Sequence, residues 1–207
     1  MDIIDTYKTI KEPSQGLYRE KGSRFISFVF PVSGESEIKL FVDQIRHEHH
    51  DARHHCYAWI LGIEGQDWRA NDDGEPSGTA GRPILGQIRS AGLTNVLLVV
   101  TRYFGGKLLG VSGLTNAYKV ASRSAISNAE IIDRIVYESY ELRYPYDLMN
   151  DVMKILKEAN LEQYEHSFGL ECRINVNIRL SEKERLLSRF KRIQGLTYSL
   201  CEGRKES

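Results

Sequence analysis

The sequence has no surplus of either charge: 28 Lys+Arg stand against 28 Asp+Glu, a formal net charge of zero. A chain built to coat nucleic acid needs an excess of cations against phosphate repulsion, so that class is excluded, although a local basic patch is not. Cysteine is scarce: Cys56, Cys172 and Cys201 are odd in number and far apart. They give neither a disulfide framework nor a zinc spacing, which suits a reducing cytosol. Long hydrophobic runs are missing too, since Val96–Val100 is far too short to span a bilayer. Met1 to Ile10 alternates charged and apolar residues, so no targeting segment is expected and a cytoplasmic location is. Neither G-x-x-x-x-G-K-[ST] nor H-E-x-x-H occurs, and there is no internal repeat or low-complexity segment.

What is present suffices for two small domains. The chain has 207 residues, of which 41% are apolar and 27% charged. A strand is expected over 25–32. A helix follows over 35–50, with Ile38, Phe41, Val42 and Ile45 on one face of a 3.6-residue period. In 55–63, Tyr57, Trp59 and Leu61 alternate with Cys56, Ala58 and Ile60, both sets apolar, the pattern of a central strand. A short strand surrounds Trp68, a helix begins at Thr79, a buried strand covers 95–102 and a long helix 112–128. The remainder reads β-α-β-β-α-β. Its strands fall over 134–144, 161–168, 171–180 and 196–201. Pro145 starts its first helix, and a Ser181/Glu184 capping box starts its second. The tail 202–207 is expected to fray. The expected domains are 1–130 and 131–207, and the fold class is α+β.

Three stretches are more specific than composition. Ala52-Arg53-His54-His55-Cys56-Tyr57-Ala58 is one. Asp72-Asp73-Gly74-Glu75-Pro76-Ser77-Gly78-Thr79-Ala80-Gly81, continuing through Arg82-Pro83-Ile84-Leu85, is the second. Val99-Val100-Thr101-Arg102-Tyr103-Phe104-Gly105-Gly106-Lys107-Leu108-Leu109-Gly110 is the third. In order and spacing they resemble the motifs of the YigZ/IMPACT family, bacterial two-domain type. The resemblance implies a first domain similar to the second domain of ribosomal protein S5. It also implies a ferredoxin-like second domain, similar to the last domain of elongation factor G, and a link to translation.

The same stretches carry the candidate chemistry. Gly78, Thr79 and Gly81 open a helix where backbone N–H groups and the helix dipole favour an anion, although Thr79 as a plain N-cap explains them equally. Arg102 and Lys107 bracket the glycine loop Gly105-Gly106 and could neutralise phosphate. Tyr103 and Phe104 could stack bases while Gly105 and Gly106 admit a sugar-phosphate backbone, or the two rings could simply plug the edge of the core while the glycines supply positive φ. Arg102, Lys107 and the N–H groups near Thr79 are expected to converge on one anion-binding cleft. His54, Asp72, Asp73 and Glu75 could line that cleft; the acids could hold Mg²⁺ or act as bases, or merely form turns. No resident metal is expected of His47, His49, His50, His54 and His55, and no cofactor is expected. The reading that results is a translation-associated binding protein contacting RNA, the ribosome or a ribosome-associated protein. The alternative is an enzyme acting on a phosphorylated small molecule or nucleotide.

Overall fold

The computed structural model describes residues 4–206; Met1–Ile3 and Ser207, the ends of the two expected spans, lie outside the described residues. The chain is mixed α/β and divides into two compact units. One is Tyr7–Asp133; the other is Arg134–Ser207 joined by Met1–Thr6. Among the described residues ahead of Thr6, Ile4 and Asp5 group with the second unit.

Ahead of the expected first strand lie β1 (Thr6–Ile10) and β2 (Ser14–Glu20). The remaining elements of the first unit are β3 (Ser23–Pro31), α1 (Glu35–Glu48), β4 (His54–Leu61), β5 (Asp67–Asn71), α2 (Gly81–Ser90), β6 (Val96–Tyr103) and α3 (Gly110–Asn128). One sheet runs β2-β3-β6-β4-β5, each neighbouring pair antiparallel. Its two faces are both buried over the central strands, and side-chain alternation separates them. Val96, Leu98, Val100, Cys56, Ala58 and Ile60 pack under α2 and α3 with Ile84, Ile88, Ala117 and Tyr118. Leu97, Val99 and Trp59 pack under α1 with Ile38, Val42 and Ile45. The alternation read from residues 56–61 therefore separates two cores.

β2 and β3 meet through the two-residue turn Lys21-Gly22, with φ of 46° and 82°. Two successive positive φ values make a type I′ turn, which matches the right-handed twist of a hairpin.

The second unit comprises β7 (Ile131–Pro145), α4 (Met149–Glu158), β8 (Gln163–Ser167), β9 (Glu171–Arg179), α5 (Lys183–Lys191) and β10 (Thr197–Glu206). A 3-10 turn precedes each of the two helices. The order β10-β7-β9-β8 is antiparallel throughout. On β9, Cys172, Ile174, Val176 and Ile178 are buried with Leu156, Leu186 and Phe190 of the helices. The Ser181/Glu184 capping box does not form: α5 starts at Lys183, with Glu182 at its N-cap and no side-chain cap. The Ser181 N–H donates instead to Asp5 Oδ2. The tail expected to fray continues β10 to Glu206, paired with β7.

Candidate functional site

The loop between β5 and α2 folds around the carboxylate of Asp72. Its Oδ1 accepts the N–H groups of Ala80 (3.0 Å) and Gly81 (2.8 Å), and its Oδ2 accepts that of Gly78 (2.8 Å). Burial pushes the Asp72 carboxyl up, but these three bonds and nearby Arg82 outweigh it and hold the group below the usual carboxylate range. The helix start does bind an anion, and that anion is a side chain of the same loop. Thr79 is buried, with its N–H and its hydroxyl both directed to the carbonyl of Pro76. Neither Thr79 nor its neighbours offers a free N–H to a ligand, and the N-cap residue is Ala80.

Glu75 is likewise engaged. Its Oε1 accepts from Arg102 Nη1 at 2.7 Å and from the Tyr118 hydroxyl at 2.8 Å, with only 3% and 8% of the Glu75 and Arg102 side chains exposed. The Cys56 thiol, against the Tyr118 hydroxyl, donates to the Asp72 carbonyl. Burial pushes both the Cys56 thiol and the Tyr118 hydroxyl well above their ordinary ranges, so both stay protonated. Asp73 pairs with Arg46 through Oδ1 and accepts the His55 N–H through Oδ2. His54 Nδ1 contacts the Asp73 carbonyl at 2.8 Å.

The expected convergence of Arg102, Lys107 and the Thr79 N–H groups is therefore corrected. Adjacent strand residues point to opposite faces. Arg102 turns toward α2 and α3, where Glu75 and Tyr118 meet it, while Tyr103 turns to the α1 face, where its hydroxyl contacts His49 Nδ1 at 2.8 Å. Burial lowers the His49 ring below its ordinary value. The loop glycines serve the chain itself. A Cβ at Gly105 would overlap the backbone of Gly22 and Ser23, and one at Gly81 the backbone of Asn71. Gly106 and Lys107 are exposed, and Lys107 forms no ion pair among the described residues.

Beside this buried network the surface has a different character. Arg24 lies over the Tyr103 ring at 4.4 Å and Arg53 over the Phe104 ring at 5.4 Å. An open depression of about 550 Å³ is lined by Arg19, Lys21, Arg24, Tyr103 and Phe104, with Glu20 as its one carboxylate. Sequence reasoning passed over Arg19, Lys21, Arg24, Tyr118 and Cys56. The signal available was the Lys21-Gly22 pair between two arginine-bearing segments, which marks a hairpin that sets those arginines side by side. Among the described residues no group of three His, Cys, Asp or Glu side chains could hold a metal ion. Nor is any helix among them long and apolar enough to cross a membrane.

Fold and site together define a class: a two-unit α/β protein whose glycine-rich loops close a buried acid–arginine network beside a basic, aromatic surface. Residues 21–126 match the Impact N-terminal domain. IMPACT family member YigZ of Escherichia coli K12 is 37% identical over 142 residues, 68% of this chain and 70% of that protein. IMPACT family member YvyE of Bacillus subtilis 168 is 33% identical over 171 residues, 82% of this chain and 79% of that protein. A crystal structure described as that of a hypothetical protein superposes with a TM-score of 0.70 at 29% identity, over 97% of this chain and 99% of that one. The chain belongs to the IMPACT family.

Proposed function

We propose that the protein is a translation-associated, regulatory binding protein that contacts RNA, with a cytoplasmic location. The observation that carries the proposal is the surface around Tyr103 and Phe104. It places exposed cations beside aromatic rings with no carboxylate paired to Arg19, Lys21, Arg24, Arg53 or Lys107 among the described residues. Cations with aromatic faces are what a nucleic acid needs, one for its phosphates and the other for its bases. Of the three partners expected (RNA, the ribosome, a ribosome-associated protein), this chemistry favours RNA, free or on the ribosome.

The architecture supports the same reading. The antiparallel order β10-β7-β9-β8, with the connectivity β-α-β-β-α-β, favours a ferredoxin-like second unit similar to the last domain of elongation factor G. The first unit is read as similar to the second domain of ribosomal protein S5. The enzymatic alternative leaned on Asp72, Asp73 and Glu75, and each of these is held by its own chain.

Sedimentation with ribosomes tests the proposal. The protein is expected in the ribosomal pellet at low salt and in the supernatant at high salt, because counterion release supplies most of the driving force. Failure to pellet at either salt concentration, together with no binding to free RNA, overturns it.

A further inference from the structure

The outer face of the second unit's sheet and the β2–β3 hairpin of the first unit treat their exposed arginines differently. On the outer face of the second unit's sheet, Arg143 pairs with Glu141, Arg173 with Glu171 and Arg179 with Asp5. The β2–β3 hairpin of the first unit does the opposite. Arg19 and Arg24 are direct cross-strand partners, and Tyr103 is the next residue across from Arg24. Like charges placed opposite each other on neighbouring strands are destabilising. Neither arginine has an ion pair among the described residues, and the nearby Glu20 carboxylate accepts the Tyr18 hydroxyl. A row of unneutralised cations that costs stability, in a chain of zero net charge, fits a polyanionic ligand that offsets the repulsion.

This face is also bare. Gly16 of β2 packs against Ser124 and Ala125 of α3, so Leu17 and Arg19 alternate to the other side. There α1 lies over Phe30, Trp59, Leu97 and Val99, and Leu17 is left 48% exposed. A second open depression, of about 390 Å³, runs over Leu17 and Ile26 and shares Arg19 and Arg24 with the larger one. The two form a groove along the hairpin that ends at the Tyr103–Phe104 aromatic pair.

We infer that this groove binds the sugar-phosphate backbone of single-stranded RNA, with Arg19, Lys21 and Arg24 on the phosphates and Phe104 offering its ring to a base. The inference deepens the RNA-binding reading above and rests on it. A single strand fits better than a duplex, because unstacked bases can meet an aromatic side chain while those in an A-form helix cannot.

The test is fluorescence anisotropy on the full chain with a labelled single-stranded oligoribonucleotide of about twelve nucleotides, long enough for one such site. Arg19→Glu/Arg24→Glu is compared with Lys39→Glu/Lys154→Glu, an equal charge change at exposed residues outside the groove. The groove variant is expected to bind at least about ten-fold more weakly, and the control within about two-fold of the parent. Arg19→Gln/Arg24→Gln, which adds no carboxylate, is expected to lower the slope of log K against log salt by about 1.4, or about 0.7 for each lost phosphate contact. It also serves if the charge reversal perturbs folding. Unchanged binding by both groove variants while the parent binds RNA overturns the groove and leaves the broader function standing. An equal loss in the control, or tighter binding of the duplex than of the single strand, also overturns it. A parent chain that binds no RNA overturns the groove and the function together.

Discussion

Glu75 shows how a residue with plausible chemistry becomes a structural one. A carboxylate beside an arginine in a glycine-rich region suggests a site, yet both side chains are almost wholly buried and bonded to each other. Removing one member of such a pair leaves the other charge uncompensated in a poorly solvating interior. Here the remaining Arg102 already has one guanidinium donor, Nε, buried without a hydrogen-bond partner among the described residues. Glu75→Ala is expected to destabilise the first unit by about 3–5 kcal/mol, measured by urea denaturation. Glu75→Leu with Arg102→Met should recover most of that loss, because two apolar side chains of similar volume leave no orphaned charge. A loss in the double variant as large as in the single one would show that the pair does more than neutralise itself.

At the scale of elements, glycines mark where backbone must lie against backbone. Gly105 precedes the turn into α3, and its N–H donates to Ser23 Oγ while its Cα faces Gly22. The loop of the third motif is thus fastened to the β2–β3 hairpin, which brings Phe104 and Arg24 to the same surface. Gly105→Ala is expected to cost at least about 1–3 kcal/mol, because the added methyl has no space. Gly86, inside α2, has open space where a Cβ would go. Gly86→Ala should therefore stabilise by about 0.5–1 kcal/mol, the helix-propensity difference. Thermal unfolding of the two variants should shift in opposite directions; shifts of the same sign contradict this account.

At the scale of the whole molecule, the N-terminal segment matters to the second unit. Asp5 is buried, accepts from Arg179 Nε and Nη2, and takes the Ser181 N–H ahead of α5. The Arg179 bonds, chiefly, hold its carboxyl far below the usual range against the opposing effect of burial. A carboxyl lowered on folding contributes stability that is complete above its unfolded value of about 3.9 and is lost as pH falls toward the folded value. Asp5→Asn is expected to destabilise the second unit at neutral pH by about 1.5 kcal/mol, the low end for charged hydrogen bonds because Arg179 is partly exposed. The difference from the parent should shrink below about pH 4, where the carboxyl begins to take up a proton in the unfolded chain while the folded one stays ionised. Hydrogen exchange of the β9 and β10 amides against pH measures this, with the first unit's amides as the reference. A fragment of 131–207 lacks Asp5, so the same loss is expected of it.

Much of the fold was legible because periodicity is a local property. Ile38, Val42 and Ile45 are buried on α1, residues 56–61 divide between two cores, and β9 alternates as its sequence reads. β2 was passed over because Ser14–Glu20 is a polar edge segment with one glycine, and its partner lies across a hairpin. The motifs in residues 52–110 were also legible, enough for the family and for a list of chemically able side chains. Which of those side chains are free was not, because satisfaction is decided by partners far along the chain. Tyr118 reaches Glu75 across 43 positions, and Asp5 reaches Arg179 across 174. Local pattern was enough for most of the elements, for the family and for the inventory of charges, but not for β1 and β2. Long-range contacts settle the rest, because a side chain is satisfied by whatever the fold brings to it: Asp72 and Glu75 consume the anion-binding capacity of the helix start and of Arg102, while Arg19 and Arg24 face each other with no paired carboxylate among the described residues.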